Sequence, residues 1–145
     1  MRNCTINGLN SYGFSGGAGF IGQISSGTNP DQYVFDNCEV SGLKFGSTSG
    51  ISECGGFVGN GYWRGYKGLT FTFNNCTADI SKVEATSVKD MGAFMGATGN
   101  NTVNFTGTNK ANTAGTGIQA LFGTRKTIDG DPAVVNGEDT VAFIK

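Results

Sequence analysis

Two short motifs recur along this chain at a fixed distance, and no other feature limits the possible folds as strongly. The first sets a Phe and an aliphatic residue between small ones: Gly19-Phe20-Ile21-Gly22, Gly56-Phe57-Val58-Gly59 and Ala93-Phe94-Met95-Gly96. Its Phe residues stand 37 apart. The second is Asn-Cys, at Asn3-Cys4, Asn37-Cys38 and Asn75-Cys76, with cysteines 34 and 38 apart. The two series interleave, so that from Phe20 to Phe94 one motif or the other returns every 18 or 19 residues. A fixed period of short units marks a stacked repeat architecture, in which no unit buries its apolar face alone.

Within each unit the pattern is that of strands. Leu43-Lys44-Phe45, Phe71-Thr72-Phe73 and Val103-Asn104-Phe105 alternate apolar and polar residues with period two. Helical spacing is not sustained over three turns; the nearest candidate, Ile118 to Lys126, is weakened by Gly123. The 25 glycines and recurrent asparagines suit tight turns that need positive φ, and eleven Phe set the chain apart from disordered Gly-rich sequence.

The expected fold is therefore all-β, a right-handed parallel β-helix (solenoid) with coils of about 18–19 residues stacked ~4.8 Å apart. On that reading Phe20, Cys38, Phe57, Cys76 and Phe94 form one inward stack. The alternative is one coil per 37 residues, with the two motifs on different walls. Residues 1–96 read as regular repeats and 97–145 as degenerate repeats with a C-terminal cap, all in one continuous domain. The acidic stretch from Asp129 to Asp139 is a candidate part of that cap. Repeat sequence starts directly after Met1, so a fragment of a larger protein is expected. It would be monomeric, or stacked end to end through an uncapped N-terminal coil.

The chain has no histidine, which removes Ser-His-Asp and Cys-His catalysis and every His-bearing zinc site. None of its four cysteines forms a C-x-x-C pair. With 18-residue coils Cys38 and Cys76 lie two coils apart, ~9–10 Å, beyond the roughly 7 Å a disulfide tolerates. They read as free buried thiols, and Cys54, off the pattern, is the best candidate for any bond. Asp36, Asp79 and Asp90 share no repeat position, so no convergent acid–base pair is expected. Nor do the many threonines, Thr70, Thr72 and Thr102 among them, fall into the aligned Thr-x-Thr ladder that an ice-binding face requires. The expectation is a protein that is not an enzyme, with no catalytic residue, no metal and no cofactor.

A net charge of -1, with no basic run longer than Arg125-Lys126, argues against nucleic acid as a partner. No apolar stretch approaches the ~20 residues of a spanning helix, so membrane insertion is not expected. One segment invites a binding role. Gly61-Tyr62-Trp63-Arg64-Gly65-Tyr66-Lys67 holds the only Trp and two of the four Tyr, between two strand patterns. Loops on a rigid scaffold are where binding residues concentrate, and flat rings with a polar edge suit sugars or a protein surface. Tyr62, Trp63, Arg64 and Tyr66 are the candidate ligand-binding residues. The competing reading has these rings folded back onto the solenoid flank with Arg64 stacked on one of them.

Gly55-Gly56-Phe57-Val58-Gly59 followed by Phe73-Asn74-Asn75-Cys76-Thr77 resembles the GLUG-type repeat, which has a Gly-Gly-Leu-Val-Gly core and a later Asn-Cys segment. Phe35-Asp36-Asn37-Cys38-Glu39-Val40-Ser41-Gly42 with the next Gly-Gly-Phe resembles it too. The resemblance covers roughly residues 1–96; Phe replaces the usual Leu and the motifs stand further apart than usual. It implies a β-solenoid of a bacterial cell-surface or adhesin-like protein, extracellular; the leading expectation is an adhesin or stalk segment with carbohydrate or a host surface protein as partner. It carries no catalytic residues to transfer. A fragment of a β-helical polysaccharide lyase or hydrolase is the competing function.

Overall fold

The computed structural model describes residues 1–13, 15–24, 32–61, 68–124 and 133–145. Among them the regular structure is β apart from one 3-10 turn, Glu138–Thr140. The strands form four parallel walls. Wall A holds β4 (Gln32–Asp36), β8 (Thr70–Asn74), β12 (Thr102–Thr106) and β15 (Val134–Asn136). Wall B holds β1 (Thr5–Asn7), β5 (Glu39–Gly46), β9 (Thr77–Glu84), β13 (Lys110–Asn112) and β16 (Ala142–Ile144), with β2 (Asn10–Tyr12) also paired to β5. Wall C holds β6 (Gly50–Gly55) and β10 (Ser87–Gly92). Wall D holds β3 (Ile21–Gln23), β7 (Val58–Asn60), β11 (Met95–Ala97) and β14 (Phe122–Thr124). The chain runs A, B, C, D and repeats, a β-solenoid of about three turns.

The solenoid is as expected, but its coil is the longer alternative. Ile21 pairs with Val58 and Val58 with Met95, each 37 residues on. Tyr33 pairs with Phe71, 38 residues on, and Phe71 with Val103, 32 on. The 18–19-residue interval is half a coil. It separates two unlike corners that happen to divide the circuit almost equally. Met95 meets Phe122 after only 27 residues, because no wall-C strand intervenes between β13 and β14. Ile118 to Lys126, the nearest helical candidate, includes strand β14.

The single inward stack also becomes two. Phe20, Phe57 and Phe94 form one column with ring centroids 5.2 Å apart at each step. Phe35, Phe73 and Phe105 form a second column at 5.2 and 5.4 Å. The columns interlock edge to face, Phe73 meeting Phe57 at 5.3 Å and Phe94 at 5.0 Å. Offset and edge-to-face contacts add to what burial of the rings alone supplies. Phe57, Phe73 and Phe94 are fully buried.

Three of the cysteines lie elsewhere, at the corner between walls A and B, and Cys54 is on wall C. Thr77 N–H donates to the Cys38 carbonyl and Glu39 N–H to the Cys4 carbonyl, so Cys4, Cys38 and Cys76 follow one another in adjacent coils. Cys38 and Cys76 are thus one strand spacing apart, ~4.8 Å, rather than two. All four cysteines are nevertheless free thiols. Each follows a residue of positive φ: Asn3, Asn37, Glu53 and Asn75, between 51° and 54°. That bend lets every thiol donate to the carbonyl two residues back, at 3.2–3.5 Å. Cys54 therefore obeys the same local rule on wall C and is not an exception. Burial pushes the Cys76 thiol up from 9.0 to about 11, despite backbone hydrogen bonds that pull it down.

Walls C and D meet without side chains between them. A methyl group placed on Gly55 would lie 2.6 Å from Gly96 N and Met95 Cα of the next coil. One placed on Gly92 would lie 2.5 Å from Gly123 N and Phe122 Cα. The small residues of the Phe-aliphatic motif are there because main chain packs on main chain.

Candidate functional site

The connections between walls differ sharply in length. From wall A to wall B the chain needs only a few residues: Asn37-Cys38 between β4 and β5, and Asn75-Cys76 between β8 and β9. From wall D to wall A it spends residues 24–31, 61–69, 98–101 and 125–133 in successive coils. Three of the four are long, and all four join the same two walls. The segment holding Tyr62, Trp63, Arg64 and Tyr66 is one of them. Those four residues themselves lie outside the described residues.

The base of that segment is described. Gly61 N–H donates to the Ala97 carbonyl at 3.0 Å, and Gly68 N–H to the Asn100 carbonyl at 3.2 Å. Between them sits Asn101, 1% exposed. Its Nδ2 donates to the Gly61 carbonyl and to the Thr98 carbonyl, both at 2.8 Å, and its Oδ1 accepts from Leu69 N–H at 2.9 Å. One buried amide from the short connection thus holds both ends of the long connection in the coil before it.

Asn109 does the same at the A-to-B corner. It is fully buried, donates to the Phe73 and Thr106 carbonyls at 3.2 and 2.8 Å, and accepts from Cys76 N–H at 2.9 Å. Lys110 pairs with Thr77, so Asn109 stands where the preceding coils carry cysteine. The Asn-Cys pattern stops at Asn75-Cys76 and so points to neither residue. The signal was an Asn immediately before each of two strand patterns, at Asn101-Thr102 and Asn109-Lys110.

The carboxylates stand on three separate walls. Asp36 lies outside wall A, where it pairs with Arg2 at 2.8 Å and accepts from Asn74 Nδ2 at 2.7 Å. Asp79 sits on wall B, where it accepts from Gly42 N–H at 3.1 Å and fills the bulge between Val40 and Leu43. Asp90 is on wall C at φ 53°. Glu138 and Asp139 lie in the 3-10 turn between β15 and β16, while Asp129 and Asp131 fall outside the described residues.

On the outer face of wall A, Thr70 pairs with Thr102, but their column continues into Gln32 and Val134. The neighbouring column runs Val34, Thr72, Asn104, Asn136, so threonine is not repeated from coil to coil. Compared with protein-family models, with curated proteins and with solved structures, the chain matches none.

Proposed function

We propose that this chain is a non-enzymatic module of a bacterial cell-surface protein, an adhesin or stalk segment that presents loops to carbohydrate or to a host surface protein. The observation that carries the reading is the D-to-A corner. A rigid stack of coils spends its variable length there, coil after coil, and it spends Trp63 and two of its four tyrosines in one of those segments. Rigid scaffold with long connections on one edge is the arrangement in which loops bind. The motif resemblance of residues 1–96 to GLUG-type repeats supports a surface location.

The test is binding of the purified chain to a glycan array and to extracellular-matrix proteins, with Trp63→Ala alongside the parent. The expected result is a bound partner that the variant loses, with a melting temperature within about 2 °C of the parent, as suits a surface change. Equal binding by both proteins would remove the loop from the reading.

A further inference from the structure

The outer face of wall B carries a second and separate feature. Where β2 joins β5, the register sets Asn10 against Lys44 and Tyr12 against Gly46. Where β5 joins β9, Lys44 meets Lys82 and Gly46 meets Glu84. Six residues of three successive coils therefore occupy a grid, ~4.8 Å between coils and ~6.6 Å along the strand. One column reads Asn10, Lys44, Lys82 and the other Tyr12, Gly46, Glu84.

Three properties of this grid point to a ligand. Tyr12 is 73% exposed, although an aromatic ring is the costliest side chain to leave in water. Its Cδ2–Cε2 edge rests on Gly46, where a methyl group would come within 3.1 and 3.3 Å of it. Glycine at this position thus lets the ring lie close against the sheet. A depression of about 420 Å³ opens there, lined by Asn10, Tyr12, Lys44, Gly46, Ser47 and Glu84. That volume lies within the usual range of small-molecule sites.

The charges are unequal as well. Lys82 and Lys44 stand opposite each other, an unfavourable like-charge pair on neighbouring strands. Lys82 is met by Glu84, Nζ to Oε1 at 2.6 Å. No carboxylate among the described residues pairs with Lys44. An anionic group placed beside Lys44 supplies the missing partner.

We infer that this notch binds a pyranose bearing a carboxylate, as one residue of an acidic polysaccharide. The apolar face of the sugar ring packs on Tyr12. Its carboxylate meets the Lys44 ammonium. Its hydroxyls exchange hydrogen bonds with Glu84, Ser47 and the Asn10 amide. A bare phosphate or sulfate makes no use of the ring; a ligand with an apolar face and many hydroxyls uses both the ring and Glu84.

The test is an NMR titration of the whole chain with tetramers of glucuronate, galacturonate and mannuronate, with cellotetraose as the neutral control. At least one uronate tetramer is expected to shift the amides of Tyr12, Lys44 and Gly46 saturably, with Kd below ~1 mM. Tyr12→Ala should weaken that binding at least ~10-fold, and Lys44→Gln should erase the preference for uronate over cellotetraose. The shifts should centre on wall B, which separates this site from the D-to-A corner. The inference is overturned if no uronate shifts these amides at ~10 mM, if cellotetraose binds as well as the uronates, or if Tyr12→Ala binds like the parent.

Discussion

The two corners that flank wall A differ in how the chain turns and in how much length it spends. At the A-to-B corner the chain turns through a positive-φ Asn and a buried Cys, and the turn closes itself with a thiol-to-carbonyl hydrogen bond. At the D-to-A corner the connection ranges from four residues to nine, and the grip comes from outside, from Asn101 of the next coil. Each corner also takes support from an asparagine of the next coil, Asn109 at the first and Asn101 at the second. The first corner spends two to five residues and the second four to nine. Loop-closure entropy rises only slowly with length, so the second corner extends cheaply once its ends are held.

The comparison breaks most visibly in the core that both corners enclose. Phe73 ends the wall-A strand beside the Asn-Cys turn and touches four other rings. Phe73→Ala should cost roughly 3–5 kcal/mol, the usual range for a fully buried Phe, measured by chemical denaturation. A loss below ~1 kcal/mol would mean that the rings do not interlock as described.

A smaller effect isolates the cysteine corner. The Cys76 thiol is raised in the folded state to about 11 from an unfolded value near 9.0. The unfolded chain therefore releases this proton first as pH rises. The stability linked to it is complete below pH 9, falls between pH 9 and 11, and is gone above the folded value. The expected loss across that window is about 2–3 kcal/mol. Cys76→Ala should be less stable at neutral pH and show a flatter profile over the same window. Parallel profiles for the two proteins would contradict the assignment.

The subtlest test sets Asn101 against Asn109. Each amide makes three buried hydrogen bonds, so either alanine variant should lose about 1–3 kcal/mol. The difference lies in the readout. Asn101→Ala releases Gly61 and Leu69 and should change the emission of Trp63, the sole tryptophan. Asn109→Ala releases Cys76 and Phe73 and should leave that emission unchanged. Identical spectra for both variants would mean that the two corners are not mechanically separate.

Strand type, turn chemistry and stacking were legible in the sequence, since alternation around Phe71 and Phe73 and the αL asparagines are local properties. Coil length was not, because merging two unlike motifs halves the period. Like compared with like, Phe with Phe and Cys with Cys, returns the 34–38-residue circuit. The cysteine column misled for the same reason: Cys38 and Cys76 are neighbours, and each thiol donates to the carbonyl two residues back. The Tyr12 notch was out of reach of any linear reading. Its columns join residues 34 to 38 positions apart, beyond two irregularities in the β5–β9 pairing, between Val40 and Leu43 and between Leu43 and Lys44.

The glycine seam between walls C and D has a genetic consequence. In an ordinary core an overlarge substitution is relieved by trimming a neighbouring side chain, and second-site revertants arise that way. At Gly55 and Gly92 every obstacle is main chain, the Val58 and Met95 carbonyls of the same coil and Gly96 and Gly123 of the next, and main chain has nothing to trim. A selection for suppressors of Gly55→Ala should return true revertants and almost nothing else.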